Sequence, residues 1–207
     1  MSTAYDKLLK LGQEKYSIEV KFKDKSLLMK ILGMILFFNP KFMKSYITTL
    51  GNTIYFPSET WLSENKDSAA SVMAHELVHV IDSKEVGLVI FSYTYLFPQV
   101  LVLLSFFAIG GSNLWLLFLL FLLPIPSPIR TYWELRGYAM SDAIRYKITG
   151  EFLPYEFIEK QFLTSAYFWM WPFQKNLRIR IDRNRELISR GNLSLKIDAA
   201  DEILSCF

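Results

Sequence analysis

His75-Glu76-Leu77-Val78-His79 places two imidazoles one helical turn apart, with a carboxylate beside the first. A right-handed helix turns about 100° per residue, so side chains four apart share a face, with Cβ atoms roughly 6 Å apart. Both rings then reach one Zn²⁺ at the ordinary ~2.0–2.1 Å. Glu76, one step round, points beside the metal, where it takes a proton from bound water. The flanks supply the buried back that such a helix needs: Val72, Met73 and Ala74 precede the motif, and Val80 and Ile81 follow it. The chain has two histidines and both lie in the motif, which sets it apart from a chance pair on a surface helix.

A catalytic zinc takes three protein ligands and keeps a fourth position open. With no third histidine, and with Cys206 alone one residue from the C-terminus, a carboxylate must complete the set. Glu134, within Tyr132-Trp133-Glu134-Leu135-Arg136-Gly137-Tyr138-Ala139, heads a stretch of helical character and is the expected ligand. Asp82 competes, being three residues after His79 on the same face, but ligation from that helix needs a bend that no nearby glycine supplies. It is expected to orient an imidazole or bind a basic neighbour. Asp142 either orients a ligand or pairs with Arg145, and both readings stand. Tyr138, Arg145 and Tyr146 are the nearby donors for an oxyanion, and Tyr138 is expected to join Glu76 as a catalytic residue.

No charged residue lies between Glu85 and Arg130. That run is longer than a buried helix of a small domain, since one membrane crossing takes about 20 residues. The turn residues Gly110-Gly111-Ser112-Asn113 divide it. The first arm is long enough to span; the second is short and meets Pro124, Pro126 and Pro128, which end regular helix. A spanning hairpin and a re-entrant hairpin both fit. Ligands on either side of the insertion require its ends to return to one aqueous face. Lys84, Arg130, Arg136 and Arg145 against an uncharged tip predict a membrane protein with its catalytic face towards the cytoplasm. A net charge of +3 without a basic run gives no reason to expect nucleic acid as a partner.

The histidine motif followed by Glu134 resembles the gluzincin branch of the zincin metallopeptidases, and the membrane insertion resembles the membrane-bound HtpX-like group in plan. The resemblance covers residues 45–146 and differs at Tyr138, where that group carries an aspartate. It implies that Gly51-Asn52-Thr53-Ile54-Tyr55-Phe56-Pro57 is an edge strand lining a cleft for an extended peptide. The expected fold is α+β: a small zincin-like domain from residues 1–85 and 130–207, with a hydrophobic helical hairpin inserted at 86–129. The expected function is that of a zinc metallopeptidase acting on a peptide or protein substrate at a membrane. Two rivals are a non-catalytic, membrane-inserting assembly protein on the same scaffold and a zinc hydrolase of lipid.

Further details follow from pattern. Residues 45–50 and 53–56 read as a hairpin round Gly51-Asn52. Asp67 or Ser68 is the expected N-cap of the site helix, which should end near Asp82. Residues 27–38 are apolar apart from Lys30 and too short to span, so a core helix or one lying at an interface is expected. Residues 151–173 read as helix ending in an aromatic cluster from Tyr167 to Phe173, suited either to lipid headgroups or to a core. The five arginines from Arg178 to Arg190 read as a solvated helix face.

Overall fold

Helix α5 (Lys66–Val86) runs through the centre of the molecule, and the rest is arranged round it. Met73, Ala74, Leu77, Val78 and Val80 are completely buried, and so, nearly, are the polar residues between them. A helix buried on every side needs partners on every side. The computed structural model describes residues 3–37, 39–165, 169–192 and 200–206. On one flank lies α1 (Ala4–Tyr16), started by a reciprocal cap between Thr3 and Asp6. Gly12 lets α1 approach closely: a Cβ there would stand 2.5 Å from Ile18 and 3.0 Å from Leu77.

A three-stranded sheet closes another side. β2 (Thr48–Leu50) and β3 (Thr53–Phe56) form the expected antiparallel hairpin, with Gly51 at φ 59° in the turn. A strand that the sequence reading does not anticipate, β1 (Glu19–Phe22), pairs in parallel with β3, Glu19 opposite Thr53. The order is β1-β3-β2, so β3 is the central strand and β2 an outer one. This corrects the expectation that residues 51–57 form an edge. Ile54 and Phe56, fully buried, agree with a central position.

Beyond β1 lie α2 (Leu27–Ile35), capped by Ser26, and α3 (Lys41–Lys44). The short α4 (Glu59–Glu64), capped by Ser58, leads into α5. The N-cap of α5 is Asn65, ahead of the expected Asp67 or Ser68, and the helix continues past Asp82 until Gly87 turns at φ 88°. A glycine adopts that angle without the steric cost any other residue would meet.

The apolar insertion is not one long helix. α6 (Leu88–Leu96) is followed by two 3₁₀ segments, Gln99–Ala108 and Asn113–Leu122, which pack against each other. Among the described residues no single helix is long and apolar enough to cross a membrane. α6 and the first 3₁₀ segment pass that test only together, and they are bent by 87°. Pro98, which cannot donate a backbone hydrogen bond, sits at the bend.

α7 (Pro128–Thr149) then lies along α5, with Pro at its first turn and Gly150 at its C-cap. α8 (Tyr155–Leu163), α9 (Gln174–Ser189) and α10 (Ala200–Ser205) follow. Helix is thus shorter than expected over residues 151–173, being bounded by Pro154 and a bend at Thr164. Of the aromatic cluster, Tyr167 and Phe168 lie outside the described residues; Met170 is buried, and Trp169 and Phe173 are exposed. The architecture is α+β, mostly helical with one small sheet.

Candidate metal centre

The centre forms where α5 and α7 pack side by side. Two features set their spacing. Asp82, one turn beyond His79, accepts hydrogen bonds from Arg136 Nε and from Nη2 at 2.7 Å, tying the two helices together. Gly137 leaves room for the His75 ring, since a Cβ there would lie 2.6 Å from its Cε1 and Nε2. A glycine inside a helix costs about 0.5–1 kcal/mol relative to alanine, so its use here reflects the close approach.

His75 and His79 share one face of α5, with Nε2 atoms 3.1 Å apart and rings meeting edge to face. From α7, Glu134 brings Oε2 to 3.3 Å from His75 Nε2 and Oε1 to 3.9 Å from His79 Nε2. All three side chains are almost wholly buried. Ligand atoms on a tetrahedral ion with bonds of ~2.0–2.1 Å stand about 3.3 Å from one another. The separations of 3.1 Å between the imidazole nitrogens and 3.3 Å from His75 to Glu134 match that figure, while the 3.9 Å from His79 to Glu134 exceeds it. Glu134 Oε2 is moreover buried with His75 Nε2, at 3.3 Å, as its polar neighbour, an arrangement that a cation would satisfy more fully. His75, His79 and Glu134 can therefore hold a metal ion together.

The electrostatics of His79 and Glu134 agree with ligand roles, whereas His75 is raised, burial being outweighed by its hydrogen bond with Glu134 and that group's charge, so a bound metal would have to displace its proton. Burial, helped by the neighbouring His75, holds His79 far below the usual imidazole range, so it is neutral, as a ligand must be. Burial opposes ionisation of Glu134, but the hydrogen bond with His75, together with the positive field of His75 and Arg130, outweighs it and keeps a carboxylate. Glu76 differs. Burial pushes its carboxyl above the ordinary range, with His75 and the Thr49 hydroxyl pulling the other way.

Glu76 is held from the sheet: Thr49, on the outer strand β2, donates its hydroxyl to Glu76 Oε2 at 2.6 Å. Nearby, the fully buried Lys23 donates to the Phe42 carbonyl at 2.7 Å, its ammonium 3.9 Å above the Phe42 ring. Burial lowers Lys23 to about 8, against the opposing field of Glu76. A third wall comes from α6. Tyr95 donates its hydroxyl to Glu134 Oε1, and the rings of Tyr95 and Phe91 both rest against His79.

No family model, curated protein or solved structure matches this chain. The site is consequently read from its own residues. The expected ligands His75, His79 and Glu134 converge, and Tyr138 lies edge to face against His75 with ring centroids 4.7 Å apart. Of the two other oxyanion candidates, Arg145 pairs with Glu151 and Tyr146 stacks on Phe152. Asp82 takes the basic-partner role. Asp142 pairs with Arg185 at 2.8 Å and accepts from the Leu153 amide, so neither expected role applies. Arg185 is correspondingly buried, unlike the solvated face expected of its helix. Sequence reasoning misses Thr49, Tyr95 and Gly137. A glycine in mid-helix is a visible signal of close approach, whereas Tyr95 sits unmarked within the apolar run.

Proposed function

We propose that this chain is a zinc-dependent metallopeptidase of the gluzincin kind, working at a membrane surface. The convergence of two imidazole nitrogens and one carboxylate carries the reading: three ligands of this type leave a fourth position for water, as hydrolytic zinc sites do. When bound, Zn²⁺ lowers the pKa of a coordinated water and polarises a carbonyl. Glu76, oriented by Thr49 and with a carboxyl raised by burial, accepts the water proton and delivers it to the departing amine. Tyr138 is the assigned oxyanion donor. The outer strand β2 supports a peptide substrate, because an extended chain can pair with its open edge next to Glu76.

Membrane association draws on the exposed apolar side chains of the insertion, among them Phe106, Ile109 and Leu114. The basic residues flanking the insertion favour a cytoplasmic catalytic face. The test is peptide-library cleavage by metal-replete protein with a chelator control. Glu76→Gln should retain zinc by elemental analysis while losing about 10²–10⁴-fold in turnover or more. Normal cleavage by Glu76→Gln removes Glu76 as the base. A second reading, a membrane-inserting assembly protein with a structural metal, draws on the burial of all three ligands and on Tyr95 of α6 lying over His79. It predicts no cleavage at all, and a lower Tm once metal is removed.

A further inference from the structure

Helix α2 is apolar on two faces, and the fold buries only one of them. Met29, Leu32 and Leu36 turn inward on Phe42, Met43 and Tyr55. Gly33 lets α3 come close behind them, since a Cβ there would stand 2.8 Å from Met43. On the outward face Leu27, Leu28, Ile31, Met34 and Ile35 are exposed by 42–74 %. Their spacing of one, four, seven and eight residues forms a single stripe along the helix. Such a stripe on an outer helix marks a surface made for an apolar neighbour.

The charges beside it indicate which neighbour. No acidic residue occurs between Asp24 and Glu59, while Lys30, Lys41 and Lys44 stand exposed on α2 and α3. Lys25 is already taken by Glu59 at 2.8 Å. A second copy of this chain would bring like charge against like, which disfavours self-association through this face. An anionic bilayer supplies both needs, acyl chains for the stripe and phosphates for the ammonium groups. We propose that α2 lies in the headgroup region of an anionic membrane, its outward stripe among the acyl chains and Lys30, Lys41 and Lys44 on lipid phosphates. This rests on the membrane part of the function above and is independent of its chemistry.

The experiment uses the full chain in nanodiscs, with Cys206→Ser and one environment-sensitive label, at Ile35→Cys or, as a control in the insertion, at Leu117→Cys. In discs containing phosphatidylglycerol, the label at 35 should be quenched by nitroxide-bearing lipid and protected from aqueous iodide. Phosphatidylcholine-only discs, or Lys30→Gln/Lys41→Gln/Lys44→Gln together, should lose that quenching. Iodide access at 35 with lipid quenching at 117 overturns the role of α2 alone. Iodide access at both positions overturns the membrane reading and this proposal with it. Equal lipid quenching in both kinds of disc overturns the anionic recognition. Protection from both quenchers that grows with protein concentration overturns the lipid in favour of a protein partner.

Discussion

Helix α5 and the insertion that follows it are both rich in apolar residues, yet the fold treats them in opposite ways. In α5, Met73, Leu77 and Val80 are sealed from solvent; in the insertion, Phe106, Ile109 and Leu114 are exposed by 66, 82 and 71 %. The difference lies in what accompanies the apolar side chains. α5 carries polar groups with matching partners on neighbouring elements: Glu76 with Thr49, and Asp82 with Arg136. The 3₁₀ segments contain no charged residue, and apart from Gln99 and Ser105 in the first and Asn113 at the start of the second they offer only apolar or aromatic side chains. Hydrophobicity brings a segment out of water, but directional bonds decide which neighbour it joins. A segment without them has only its own hairpin and the medium around it.

That contrast is broken most severely at the brace. Asp82→Ala leaves Arg136 without its carboxylate next to the metal centre, and should cost about 3 kcal/mol, read as a fall in denaturant midpoint at unchanged m. Tyr95→Phe tests whether α6 belongs to the centre or merely lies over it. Loss of the hydroxyl to Glu134 should weaken zinc binding about 10–100-fold in a chelator competition, with the fold intact by circular dichroism. Gly137→Ala drives a methyl into the His75 ring and should destabilise by about 1–3 kcal/mol, with reduced zinc retention. Leu117→Ser, in the exposed insertion, should change stability in detergent by less than about 0.5 kcal/mol. A large loss of stability there would mean that the insertion is held as firmly as α5.

The group that could hold a metal is legible in the sequence because helical spacing is a fixed geometric rule and the chain offers few alternatives. Two histidines four apart and one glutamate heading a helical stretch leave little to choose between. The hairpin round Gly51 is legible for a similar reason, as its turn residues and flanking β-branched side chains follow local rules. β1 escapes notice because Glu19–Phe22 is only four residues long, and its partner β3 lies beyond two helices and another strand. Without β1, β3 reads as an edge. The roles of Asp142 and Arg185 are invisible for the same cause: they sit 43 residues apart in sequence and meet only through the packing of α7 on α9. Tyr95 shows the limit most clearly. Nothing local distinguishes it from Tyr93, which is half exposed at 50 %.

Gly87 carries a practical consequence. Because the chain reverses there and lays α6 back over His79, the greasy excursion covers one side of that imidazole before it departs. Trimming everything from Leu88 to Leu122 for a water-soluble fragment would therefore uncap the very imidazole such a fragment was meant to preserve. A useful truncation must keep the chain through Leu96, and with it the Phe91 and Tyr95 rings that rest against His79, and rejoin it ahead of Pro128.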